Sequence, residues 1–244
     1  SEHFLTCETN LWQEYEDYSG LLEKLNNQLT QTKHPALIRR QLAQIYMRRD
    51  EDYKSNPKIN ERILTLMSDN MKNDGTSIVN FLLWFKAARY SSLTTDEILT
   101  RLVQWNTANP AMDLSFYIFV FNAIKAIEGS TEAAERARRA LQECQKLGGN
   151  NRIGIREWYG DAQQGIVSNY ERKNKPAEYD LYEVEGYVKD YQHPGNAVIQ
   201  LDCGLEVFFK PSVKGITQSS MNHRVRFVLG FSYDGLRADS ESVE

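Results

Sequence analysis

The apolar residues of this chain recur at helical spacing up to Lys146 and alternate like strand residues from Tyr182 onward, so neither an all-α nor an all-β fold accommodates it. In the first part, Leu11, Tyr15, Tyr18, Leu22, Leu25 and Leu29 return every three or four positions, which predicts a helix over 11–31. Pro35 suits the first turn of a second helix with the stripe Leu37, Leu42, Ile45 and Tyr46. Asn56-Pro57 opens a third, which carries Ile59, Ile63, Leu66 and Met67 inward and stops at Asn73-Asp74-Gly75. Ile78, Phe81, Leu82, Phe85 and Ala88 form the apolar face of a fourth. Thr95-Asp96-Glu97 begins a fifth with Ile98, Leu102, Val103 and Trp105, ended by Asn109-Pro110, and Asp113 is placed to cap a sixth through Ile127. The seventh, Ala133 to Lys146, is rich in strong helix formers between Ser130-Thr131-Glu132 and Gly148-Gly149.

After Gly149 the texture changes. Residues 150–176 hold no helical stripe, and Arg172-Lys173-Asn174-Lys175-Pro176 reads as a surface linker. Strands are predicted at Tyr182–Lys189, Ala197–Leu201, Leu205–Lys210, Arg224–Phe231 and near Leu236–Asp239, with turns at His193-Pro194-Gly195, Asp202-Cys203-Gly204, Pro211 to Asn222 and Asp234-Gly235. Short strands in this number suit a small closed barrel, which removes exposed sheet edges. The expected fold class is therefore α+β multidomain: an all-α bundle of paired helices over 1–149, a connecting segment over 150–176 and a small five-stranded barrel over 177–244.

Composition narrows the function classes. Hydrophobic residues are 41% and charged residues 25%, as in chains that bury a core. The longest apolar stretches, Phe116 to Phe121 and Val225 to Phe231, the second broken by Arg226, fall far short of the roughly 20 residues that span a bilayer. The first residues, Ser1 to Cys7, lack a basic start followed by an apolar core, so a cytoplasmic location without membrane attachment is expected. Cys7, Cys144 and Cys203 are too scattered for a disulfide framework or a metal site and are read as reduced thiols. His3, His34, His193 and His223 fit no metal motif, and no G-x-S-x-G elbow or Gly-rich phosphate loop is present. A non-catalytic chain without cofactor or metal is expected. Trp84, Trp105, Phe116, Phe119 and Phe121 stand at helical spacing and read as core.

Charge is uneven. The chain carries 29 bases and 33 acids, a net of −4, and the part from Pro176 to Glu244 holds six bases against eleven acids. Neither part has the basic excess that usually marks phosphate-backbone binding. Arg136, Arg138 and Arg139, together with Arg39, Arg40, Arg48 and Arg49, are either a solvated face or a shared concave basic surface.

The helices start near residues 36, 57, 77, 95, 113 and 131, so a pair recurs about every 36–40 residues, close to the period of tetratricopeptide and other helical-pair repeats. Ala43-Gln44-Ile45-Tyr46 is similar to a tetratricopeptide segment. In the second part, Gly186-Tyr187-Val188-Lys189, Val207-Phe208-Phe209-Lys210 with Ser212, Val225-Arg226-Phe227 and Gly235-Leu236-Arg237-Ala238 follow in the order of a cold-shock domain. The segment resembles that OB-type family over about a quarter of the chain. The resemblance implies binding of RNA or single-stranded nucleic acid through Phe208, Lys210, Lys189, Tyr191, Arg224 and Arg226. It puts Asp190 at the family's tryptophan position, Tyr191 at the next aromatic and Lys210 where a stacking histidine would stand, and Gly195 to Ile199 carries no aromatic.

A second resemblance spans the chain. Helical pairs, then Glu157-Trp158-Tyr159-Gly160, then a barrel ending in Val225 to Ala238 resemble the C-terminal end of large bacterial defence proteins and the tail of animal sterile-alpha-motif-containing antiviral NTPases. It implies a regulatory module that senses nucleic acid, either as the end of a longer polypeptide or as a stand-alone relative. The other reading is a protein-interaction scaffold, in which the helical pairs present a surface to a protein partner or a second copy and the barrel docks or oligomerises.

Overall fold

A computed structural model describes residues 18–48, 52–73, 77–110, 113–147, 155–211 and 216–244. The fold is α+β, with a helical region followed by a small closed barrel that carries extra strands. The helices are α1 (Tyr18–Leu29), α2 (Pro35–Arg48), α3 (Pro57–Asn73), α4 (Ile78–Ala88), α5 (Thr95–Ala108), α6 (Ser115–Ile127) and α7 (Thr131–Leu147). Leu11, Tyr15, Arg49, Asp74, Gly75, Gly148 and Gly149, all used in the sequence reading, lie outside the described residues, as do Cys7 and Ser212. No helix among the described residues is long and apolar enough to cross a membrane.

Contacts divide the chain into two compact units, one holding residues up to Ile98 with Thr107–Met112, the other Leu99–Asn106 with Asp113–Glu244. In the first unit α1 packs on α2, α2 on α3 and α3 on α4. Asn56 caps α3 by accepting from the Lys58 and Ile59 amides at 3.1 and 3.4 Å, with Pro57 in the first turn where its missing N–H has no cost. Buried asparagines stitch the helices together. The Asn60 amide donates to the Tyr53 and Ala87 carbonyls at 3.2 and 2.8 Å, and the Asn70 amide donates to the Ala36 carbonyl at 2.8 Å. Trp84 is fully buried, as its spacing predicted, whereas Ile78 and Leu82 of the same expected apolar face are exposed. The helix turns Phe81, Trp84, Phe85 and Ala88 inward instead. α5 begins at Thr95, as expected, and Thr94 and Glu97 form reciprocal bonds at its start.

The second unit joins α6 and α7 to the barrel. Asp113 is not the cap of α6: the helix starts at Ser115 with Leu114 at the cap position, and Asp113 lies outside it at φ 49°. Its strands are β1 (Glu157–Tyr159), β2 (Ile166–Ser168), β3 (Glu183–His193), β4 (Asn196–Leu201), β5 (Glu206–Phe209), β6 (Arg224–Ser232) and β7 (Gly235–Ala238). Antiparallel pairing runs β6–β3–β4–β5, β7 adds to β5 in parallel, and β7 returns to β6. That closes five strands in the order of an OB-type barrel.

The segment 150–176, expected to be a plain connection, is structured within its described part. β1 pairs with both β2 and the end of β6, so the sheet extends beyond the barrel. A short helix, α8 (Asn169–Asn174), follows with a capping box between Ser168 and Glu171. Arg172 of the expected linker stacks 3.8 Å over the Trp158 ring and pairs with Asp239 at 2.6 Å. A three-residue strand such as β1 or β2 is too short to show an alternation in sequence.

Gly186 of β3 stands where there is no room for a side chain against β4. A Cβ there would lie 2.6 Å from Ile199 Cγ2 and 2.7 Å from the Gln200 carbonyl oxygen, inside the barrel wall. Gly186→Ala is expected to destabilise the barrel by about 1–3 kcal/mol through overpacking, read as a lowered midpoint in urea unfolding followed by tryptophan fluorescence.

Candidate functional site

The outer surface of the barrel is built by alternation along its strands, and two regions of it carry polar chemistry. The first is a cleft of about 570 Å³ between α7 and the outer side of β4–β5. Phe208 comes to it because β5 alternates, with Val207 and Phe209 inward and Phe208 half-buried on the outside. Lys189 comes to it because the β3–β4 register shifts between Val188 and Asp190, which makes Lys189 the extra residue of a bulge. Gln200 of β4, Glu206 of β5, Asp234 just past β6 and Arg138, Gln142 and Gln145 of α7 complete its polar lining. The helix is tied down at both ends of this wall. Arg138 donates to the Gly204 carbonyl at 2.7 Å and Gln145 to the Asp234 carbonyl at 3.3 Å.

Lys189 forms an ion pair with Glu206 at 2.6 Å, both side chains about half exposed. Phe208 stands opposite Arg237 in the parallel β5–β7 pairing, and the guanidinium lies 5.1 Å from the ring centroid. Arg237 sits in the Gly235-Leu236-Arg237-Ala238 motif and was not among the expected binding residues. Its contact with Phe208 depends on the parallel register, which no local pattern encodes.

The second region is an ion-pair ladder across β3 and β6. Arg224 reaches Glu185 at 2.9 Å, Asp202 at 2.7 Å and the Tyr187 hydroxyl at 3.0 Å. Arg226 reaches Glu185 at 2.8 Å and Glu183 at 3.9 Å. The register explains it, because Glu185 faces Arg226 and Tyr187 faces Arg224 directly across the strands. Hydrogen bonding from Arg226 lowers the Glu185 pKa, with the charges of Arg224 and Arg226 acting in the same direction.

The six residues expected to bind nucleic acid therefore divide. Phe208 and Lys189 share the cleft, while Arg224 and Arg226 belong to the ladder. Tyr191 is half-buried opposite Ala197, and Lys210 is exposed, its backbone N–H donating to Ser240 Oγ at 3.2 Å. The basic helical residues are also engaged. Arg39 bonds Asn70 and Arg40 bonds Asn80, at 3.4 and 3.3 Å, within the first unit. On α7, Arg136 pairs with Glu132, and Arg138 and Arg139 pair with Glu135.

Cys144 is fully buried, and burial, reinforced by Asp113, pushes its thiol pKa up to about 12, which keeps it protonated and unreactive. Among the described residues Cys144 and Cys203 are free thiols, and no group of acids, histidines and cysteines is disposed to hold a metal. No protein-family model matches the chain, and no curated protein or solved structure matches it significantly.

The lowered pKa gives the ladder a pH signature. A carboxylate whose pKa is lower in the folded state stabilises the fold above the ordinary carboxylate range, and the contribution disappears as pH falls through the depressed value. A carbon-detected NMR titration is expected to place Glu185 below an ordinary glutamate, and Arg226→Ala is expected to return it toward the ordinary value.

Proposed function

We propose that this chain is a cytoplasmic, non-catalytic nucleic-acid-sensing module, the sensing end of a larger defence protein of the kind its sequence resembles. The observation that supports this reading is the cleft between α7 and the β4–β5 face of an OB-type barrel, with half-buried Phe208 flanked by Arg237 and Lys189. A base stacks on the Phe208 ring, a contribution of about 1–3 kcal/mol per base in such sites. The Gln142, Gln145 and Gln200 amides offer donors and acceptors to base edges. Lys189 exchanges its exposed partner Glu206 for a phosphate, an inexpensive change because exposed ion pairs contribute only about 0–1 kcal/mol. Single strands fit better than duplexes, since stacking needs an unpaired base face.

Fluorescence anisotropy at low salt tests the reading with labelled single-stranded RNA, single-stranded DNA and duplex. Single strands are expected to bind with a shallow salt dependence, because few cations contribute, each giving a slope of about −0.7. Phe208→Ala is expected to weaken binding about 5- to 100-fold, the loss of one stacked base. Arg224→Ala is expected to change it little. Absence of binding by any strand at low salt would sink the proposal.

A scaffold role has one observation in its favour. Ile78, Val79 and Leu82 of α4 are 39%, 37% and 42% exposed, an apolar strip on the outer side of one helix. A scaffold working through self-association predicts a concentration-dependent mass in light scattering that Leu82→Glu abolishes, and a monomer at all concentrations counts against it.

A further inference from the structure

A second cleft, of about 590 Å³, lies between the α6–α7 turn, Tyr159 of β1, the start of β3 and the β4–β5 turn. We propose that it is a binding site for an aliphatic ammonium group.

The acidic wall consists of Glu183 and Glu185 on β3 and Asp202 in the β4–β5 turn. Two guanidiniums are already committed to it. Arg224 bridges Glu185 and Asp202 at 2.9 and 2.7 Å, and Arg226 holds Glu185 at 2.8 Å. Three carboxylates against two guanidiniums leave one negative charge in excess. It falls on Glu183, whose ion pair with Arg226 is a distant 3.9 Å.

The second observation is Tyr159. It lines the cleft with only 8% of its surface exposed, and its hydroxyl makes no hydrogen bond to any described residue. Its ring packs edge-on against Tyr182 at 5.0 Å, so the phenol is fixed in place. Burial, followed by the nearby Glu128 carboxylate, raises its pKa, so it stands protonated in a negative field. A fixed hydroxyl with free lone pairs in a negative field is suited to accept from a cation.

The remaining lining decides the ligand class. Ala126, Ile127, Val184 and Leu201 form an apolar strip beside the carboxylates, which suits an alkyl stem. The acceptors come from separate strands, not from one planar carboxylate pair, which matches the compact three-donor head of an ammonium better than a planar guanidinium. Ser130 and Thr131 border the cleft at the start of α7, where the helix dipole repels cations, so the ammonium sits on the Glu183 side. A polyamine and a lysine side chain of a protein present the same group.

Isothermal titration calorimetry and ¹⁵N NMR of the full chain, with spermidine in one arm and a lysine-containing tripeptide blocked at both ends in the other, test the proposal. Saturable binding is expected, with shifts confined to the residues around Tyr159 and Glu183. Spermidine alone binding assigns a polyamine; the tripeptide binding assigns a protein lysine. Glu183→Gln is expected to weaken binding about tenfold and Tyr159→Phe about threefold, as for loss of a charged and a neutral hydrogen bond. Glu241→Gln, which removes an equal charge elsewhere on the surface, is expected to leave binding unchanged. Spectra that overlay the wild type establish that the variants fold. No binding of either probe, or binding that Glu183→Gln weakens no more than Glu241→Gln does, overturns the proposal.

Discussion

The second unit depends on one contact between a helix and a strand. Phe116 of α6 stacks on Tyr233, just past β6, at 4.8 Å, and Phe119 meets Phe231 edge-on at 6.4 Å. Aromatic side chains bury about 150–250 Å² each, and all four of these pack between α6 and the end of the sheet. Arg156 closes it, with its guanidinium 4.1 Å from the Tyr233 ring centroid and a 2.6 Å bond to the Tyr233 hydroxyl. The burial pattern of β6 records the result. Its first half alternates, with Arg224 and Arg226 outward, and its last four residues are buried on both faces. Covering by α6 on one side and pairing with β1 make that end of the strand an interior element.

Once α6 is fixed, α7 follows, because the two helices pack along their lengths. The arginine and glutamine of α7 that reach the β4–β5 and β6–β7 turns then hold it as one wall of the Phe208 cleft. In many OB-type barrels the corresponding face binds oligonucleotides, and here it is narrowed by a helix from the same unit. Packing and the shape of the Phe208 cleft are therefore coupled at α7. Its outer side is solvated and laced with ion pairs to Glu132 and Glu135, while its inner side fixes the width of the site.

Much of this was legible in the sequence. The change of period after Lys146 separated helices from strands. The tight turn at Pro194-Gly195 and the motif around Val207-Phe208 placed the barrel strands, because turn residues and two-residue alternation are local signals. The register was not legible. Nothing local indicates that Phe208 lies beside Arg237, or that Arg224 and Arg226 face Glu185, since both follow from strand pairing between distant segments. The short strands β1 and β2 were missed for a related reason. Their stability comes from pairing with β6 and from Arg172 on Trp158, not from their own few residues. Periodicity marked the change from helix to strand, whereas contacts place α6 and α7 in the barrel's unit, so the two divisions of the chain measure different things.

Net charge was the least informative of the sequence signals. The acidic excess of the barrel suggested a surface hostile to phosphate, but its charges are spent locally. Glu185 and Asp202 are held by Arg224 and Arg226, and Asp239 by Arg172. At about 0.15 M salt, fields from such exposed pairs fade within about 8 Å, so a ligand at Phe208 experiences Arg237, Lys189, Arg138, Glu206 and Asp234 more than the total charge. The same locality leaves Glu183, near the start of β3, incompletely compensated. One barrel thus presents two electrostatic environments, one with a base in excess beside an aromatic ring and one negative beside an apolar strip. The register of β3, which sends Lys189 to one and Glu183 to the other, determines which chemistry each can recognise.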